Sequence, residues 1–119
     1  MAKKNGAKII YSKNIIDDIN SKTKIIAFSQ MNNTIEQHIN MERLLKFVKK
    51  HNVILVNDAA QAIVHSEVLI SEADVIAYSG NKIYGPTGTG VLIIKKELLH
   101  LLKPSTYGGS QISVMEEGE

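Results

Sequence analysis

Val53-Ile54-Leu55-Val56 followed by Asn57-Asp58, and Val75-Ile76-Ala77-Tyr78 followed by Ser79-Gly80-Asn81-Lys82, are the runs that decide the fold. Four consecutive apolar, mostly β-branched residues suit a strand buried on both faces, as a parallel sheet requires. Each run stops at polar residues just past its expected carboxyl end. In open α/β sheets that end of the strands is where ligands bind. Asp58 and Lys82 therefore stand out before any other residue does.

The flanking sequence alternates strand and helix signals, which is how βαβ units read. Upstream, Met41, Leu44, Leu45 and Val48 recur at i, i+3, i+4 and i+7, which predicts a helix over 41–51. Asn40 suits its N-cap, Lys49, Lys50 and His51 suit its last turn, and Asn52 suits its terminator. Lys24 to Phe28 reads as a strand, Ile15 to Ile19 as a weak helix, and Ala7 to Tyr11 as a further strand. Downstream, Gly90 to Ile94 reads as a strand and Glu97 to Leu102 as a short helix before Pro104. The expected class is α/β, with three layers and a mostly parallel sheet. Residues 1–104 form its packed part, and 105–119 a Gly-rich, acidic, poorly ordered tail.

Composition narrows the function classes. The chain has 119 residues, room for one domain at most, and 44% of them are apolar, as a globular segment requires. Fourteen Lys plus Arg against twelve Asp plus Glu leave a net charge of +2, without the basic clustering that a nucleic-acid partner needs. No stretch approaches the ~20 apolar residues of a membrane helix, and the N-terminus is not a secretory signal, so a cytoplasmic location is expected. There is no Cys, which excludes disulfides, thiolate metal sites and Cys nucleophiles within this chain.

Asp58 has two readings. It can cap a helix that opens at Ala59, or aim a carboxylate at a cationic ring nitrogen or a metal. At the end of a buried strand it needs a partner, because burying it alone costs several kcal/mol. Lys82 is either a surface residue or a desolvated amine able to act as a Schiff-base nucleophile. Ser79 and Gly80 offer a hydroxyl and backbone N–H groups that suit phosphate oxygens. The run Gly85-Pro86-Thr87-Gly88-Thr89-Gly90 lacks a Gly-Lys-Ser/Thr ending, and a strand follows it. It therefore reads as a structural turn and not a nucleotide loop. His38, His51, His65 and His100 lack metal-ligand spacing, so no metal site is expected.

Asp58-Ala59-Ala60-Gln61, then Ser79-Gly80-Asn81-Lys82, Tyr84-Gly85-Pro86 and the glycine-ended Gly88-Thr89-Gly90, together resemble the pyridoxal-phosphate region of cysteine desulfurases. These are class V aminotransferase-like enzymes, and the sulfur-mobilising, selenocysteine-lyase-like branch is the most similar. The resemblance implies that the chain is a central piece of the large domain of a pyridoxal-phosphate-dependent transferase fold. It implies that Lys82 carries the pyridoxal 5'-phosphate and moves the substrate α-proton. Asp58 would pair with the ring nitrogen and keep it protonated, Gln61 would bond the phenolic oxygen, and Ser79 would bind the phosphate. Asn81, which stands where the family has His, would join the cofactor site. Asn33 would lie near the substrate.

The activity implied is removal of sulfur from L-cysteine to give L-alanine and an enzyme persulfide for iron–sulfur cluster assembly. The complete enzyme would be a homodimer, with a scaffold protein as a possible sulfur acceptor. Without a Cys, this chain alone is expected to be an incomplete and inactive fragment. Two alternatives remain: a catalytically inactive remnant that acts at most as a binding module, and a fragment of a related selenocysteine lyase or aminotransferase.

Overall fold

The computed structural model describes residues 6–31, 39–68 and 71–102. Four strands form one sheet in the order β1 (Ile25–Ser29), β2 (Ile54–Asp58), β3 (Val75–Ser79) and β4 (Gly90–Ile94). The first three are parallel, with Ser29 beside Asp58 and Asp58 beside Ala77. β4 runs antiparallel to β3, pairing Gly90 with Ser79. The α/β class and the mostly parallel sheet hold.

Three helices are added: α1 (Ile15–Asp18), α2 (Met41–His51) and α3 (Ala62–His65). α2 is the helix its sequence predicts, residue for residue. Asn40 accepts a hydrogen bond from the Arg43 N–H at 2.9 Å, which satisfies one of the free donors at the N-terminus. Asn52 takes the left-handed conformation (φ 52°) and closes the other end. The apolar stripe of α2 packs on the sheet: Leu44 is wholly buried against Ile26, Phe28, Val53 and Leu55, with Ile15, Ile16 and Ile19 of the α1 region beside them. A second cluster of Ala59, Ala62, Ala73 and Ile76 seats α3 on the same face.

In strands, side chains alternate between faces. The register places Ile26, Phe28, Leu55, Asn57 and Ile76 on the helix-covered face, and all are buried. The other face carries Ile25, Ala27, Val56, Asp58, Ala77 and Leu92. Ile25 and Leu92 are each 62% exposed there. Among the described residues the helices thus cover one face only, so the strands are not buried on both sides as their sequence suggests.

Three local expectations change. Ala7 to Tyr11 is not a strand: it is exposed and pairs with no strand among the described residues, and β propensity without a ladder leaves backbone groups to water. The helix expected to open at Ala59 begins at Ala62, with Gln61 at its N-cap. The helix expected from Glu97 is a 3-10 helix, Lys96–Leu101. Asn33 and the tail from 105 lie outside the described residues.

Candidate functional site

β1, β2 and β3 are parallel, so their carboxyl ends share one edge of the sheet. Backbone bonds hold these ends together past the last paired residues. The Gln30 N–H donates to the Asp58 carbonyl at 3.0 Å, and the Ala59 N–H donates to the Ala77 carbonyl at 2.9 Å. Asp58 is the last residue of β2 and Ser79 the last of β3. Lys82 follows in a 3-10 turn, Gly80–Ile83, which touches α3. The carboxylate and the amine therefore extend from neighbouring strand tips at the same edge.

Asp58 is exposed, which corrects the expectation that it is buried and must be paired. One carboxylate oxygen accepts from the Ala60 N–H at 3.0 Å, an Asx turn that leads the chain away from the sheet. The capping role survives in this form, two residues on and not at a helix start. Among the described residues nothing else bonds the carboxylate, so its second oxygen is open to a cation. Lys82 is exposed as well, and no carboxylate of the described residues pairs with it. The desolvated amine of the sequence reading is thus not what this chain presents.

The Ser79 hydroxyl donates to Asn81 Oδ1, which turns the carbonyl of that amide toward the serine. Asn81 is exposed, and its Nδ2 hydrogens have no partner among the described residues. They are donors available to an anion. Gln61 sits at the N-cap of α3, three residues past Asp58, and its side chain caps nothing.

The loop after Lys82 is held by its own backbone. The Gly80 N–H donates to the Thr89 carbonyl, the Gly85 N–H to the Gly80 carbonyl, and the Thr89 hydroxyl to the Pro86 carbonyl at 2.7 Å. A Cβ on Gly85 would stand 2.7 Å from the Gly80 carbonyl oxygen, and one on Gly80 would overlap the Thr89 hydroxyl. Both glycines are there because the loop folds back on itself. Tyr84, at φ 63°, is a non-glycine residue in the left-handed region beside the lysine, and its side chain is exposed. The glycine-rich run is a structural turn that reverses the chain into β4, as its sequence indicates.

These residues supply one carboxylate, one primary amine, a hydroxyl and an amide from a single edge. That set fits pyridoxal phosphate: an anion for a protonated ring nitrogen, an amine for its carbonyl carbon, and neutral donors for its phosphate. Among the described residues no group of His, Asp and Glu is arranged to hold a metal ion.

The sequence reading did not single out Asn57 and Gln30. Asn57 is wholly buried, and its Nδ2 donates to Gln30 Oε1 at 2.8 Å. The signal was available, since Asn57 is a polar residue at an inward-facing strand position.

Comparison with known proteins identifies the family and the fold. The family Aminotransferase class-V matches residues 1–119. A protein of Haemophilus influenzae named "Probable cysteine desulfurase" is 36% identical over 93% of this chain, which covers 28% of that protein. One of the same name from Borreliella burgdorferi is 35% identical over 94% of this chain and 27% of its own length. The crystal structure of the cysteine desulfurase CsdA from Escherichia coli superposes with a TM-score of 0.71 at 33% identity, covering 84% of this chain and 26% of that one. The apo cysteine desulfurase of Thermococcus onnurineus gives 0.68 at 35% identity, over 78% of this chain and 24% of that structure. The chain spans about a quarter of the length of these relatives.

Proposed function

This chain belongs to the aminotransferase class-V family, and we propose that it is the cofactor-holding part of a cysteine desulfurase acting on L-cysteine. The observation that carries the reading is the placement of Asp58 at the tip of β2 and of Lys82 in the turn just past the tip of β3, its parallel neighbour, with no ion-pair partner for either among the described residues.

Pyridoxal phosphate supplies, when bound, an electron sink that stabilises negative charge at the substrate α-carbon. The protein's part is to hold and orient it. The open oxygen of Asp58 would pair with the ring nitrogen and keep it protonated. Lys82 Nζ would hold the cofactor and would be the amine that takes a proton from the substrate α-carbon and returns one. The Asn81 amide and the Ser79 hydroxyl bind the phosphate. For the hydroxyl to donate there, the Ser79–Asn81 bond must open or the amide must turn over. Gln61, at the start of α3, bonds the phenolic oxygen. Asn33 is assigned to the substrate side.

Sulfur leaves L-cysteine to give L-alanine and a persulfide on a thiol of the enzyme, which then supplies iron–sulfur assembly through an acceptor protein. This chain contains no Cys, so that thiol lies outside it. The same fact favours cofactor capture without turnover by these 119 residues alone. We assign the working enzyme to the cytoplasm, as a homodimer. The related lyase and aminotransferase readings share this cofactor site, and no residue described here favours them.

The test is capture. The chain is incubated with pyridoxal phosphate, reduced with borohydride, digested, and mapped by mass spectrometry. The expected result is a phosphopyridoxyl group on the peptide containing Lys82, lost in Lys82→Ala. Equal labelling spread over the surface lysines, unchanged in Lys82→Ala, contradicts the assignment.

A further inference from the structure

We propose that Asn57 and Gln30 form a buried amide clasp that positions Asp58 toward the cofactor. They are positioning residues, since neither touches the carboxylate. This deepens the functional reading above and rests on its assignment of Asp58.

Three segments meet at Gln30. Its Oε1 accepts from Asn57 Nδ2 at 2.8 Å, on β2 and directly before Asp58. Its Nε2 donates to the Glu67 carbonyl at 2.6 Å, with the Ser66 hydroxyl at 3.4 Å, in the segment leaving α3. Its own N–H donates to the Asp58 carbonyl at 3.0 Å. One side chain and one backbone group thus tie the tips of β1 and β2 and the exit of α3. Because side chains alternate along β2, a clasp on the helix-covered face fixes the backbone from which Asp58 projects on the other face.

The clasp is a poor choice for stability alone. Asn57 Oδ1 is buried and has no hydrogen-bond partner among the described residues, which costs free energy that an apolar side chain at this inward position would not. What a paired amide gives and an apolar residue does not is direction: its hydrogen bonds have one geometry, whereas apolar contacts tolerate sliding. The site needs that direction, because the carboxylate must meet one ring atom.

Three variants of the full chain separate positioning from stability: Gln30→Asn, Asn57→Val, and Gln30→Leu with Asn57→Val. Three properties are read: the global unfolding midpoint, amide exchange at Gln30, Ala59 and Ala60 by NMR without cofactor, and pyridoxal-phosphate affinity by absorbance. The double variant removes both side-chain amides and returns the exposed Glu67 carbonyl to water, and it is expected to regain the midpoint lost by Asn57→Val. Its exchange at the backbone N–H of position 30 and at Ala59 should still be about tenfold faster than in the parent chain, as local opening becomes cheaper. Its affinity should be weaker by about tenfold. Gln30→Asn keeps the functional group but shortens its reach. It should give the same local exchange with little change in midpoint, so the inference does not depend on the double variant folding. Parent-like exchange at these amides in the folded variants overturns the clasp. If exchange rises as expected while the parent chain binds no pyridoxal phosphate, the clasp stands as a device fixing Asp58, and the assignment of its target falls instead.

Discussion

Asp58 does two things that substitution can separate. Its Oδ1 closes the turn at Ala60, and its open oxygen offers the charge. Asp58→Asn keeps an acceptor for Ala60 and removes the charge, whereas Asp58→Ala removes both. We expect Asp58→Asn to leave the unfolding midpoint near that of the parent and Asp58→Ala to lose about 0.5–1 kcal/mol, the worth of one solvent-accessible hydrogen bond. Both should bind pyridoxal phosphate more weakly, measured side by side with chemical denaturation. A parent-like affinity in Asp58→Asn would show that the charge is idle. At this scale the sequence was informative, because residue type and order alone mark Asp58 and Lys82 as polar residues past apolar runs. Their exposure was not legible: it depends on which face the helices cover, and neighbouring residues in the chain do not determine that.

At the scale of elements, legibility followed locality. α2 could be read to the residue because its cap, stripe and terminator all lie within its own few turns. The direction of β4 was also within reach. Residues 80–89 are too few for a crossover between parallel strands, which takes a dozen or more residues, so the antiparallel return was implied. The start of α3 was missed because the Asx turn at Asp58 and the Ala59–Ala77 backbone bond hold the chain extended before the helix can begin. One element contact has a consequence for stability. Asp74, just before β3, accepts from the Leu55 N–H at 2.9 Å and from Lys95 Nζ at 2.7 Å, so it joins β2, β3 and the end of β4. Asp74→Ala should cost about 1–3 kcal/mol, because it leaves the part-buried Leu55 N–H unpaired. Lys95→Ala removes only a half-exposed ion pair and should cost under about 1 kcal/mol. Urea denaturation of the two variants checks the order, and equal losses would refute it. In the loop, Gly85→Ala sets a Cβ against backbone and should destabilise by about 1–3 kcal/mol. A parent-like midpoint in that variant would mean the turn can open.

At the scale of the whole molecule, the sheet is covered by helices on one face and presents apolar side chains on the other. Ile25 and Leu92 are more than half exposed there, beside half-buried Val56, Val75 and Ala77. β1 and β4 also end the sheet with unpaired edges among the described residues. Exposed apolar sheet faces and open edges drive association. We expect sedimentation equilibrium to show mass rising with concentration, and Ile25→Lys with Leu92→Lys to suppress it. A constant monomer mass at high concentration contradicts this. The apolar runs had suggested strands buried on both sides. Their composition is consistent with a covering layer, and the described residues do not supply one.

The central claim is that the Asp58 carboxylate and the Lys82 amine hold the same pyridine ring. Its most direct test is nitrogen-15 NMR of ring-labelled pyridoxal phosphate fixed to Lys82 by borohydride, followed through a pH titration. The account predicts that the ring nitrogen keeps its proton to higher pH in the parent chain than in Asp58→Asn. Superimposable titration curves for the two would contradict it.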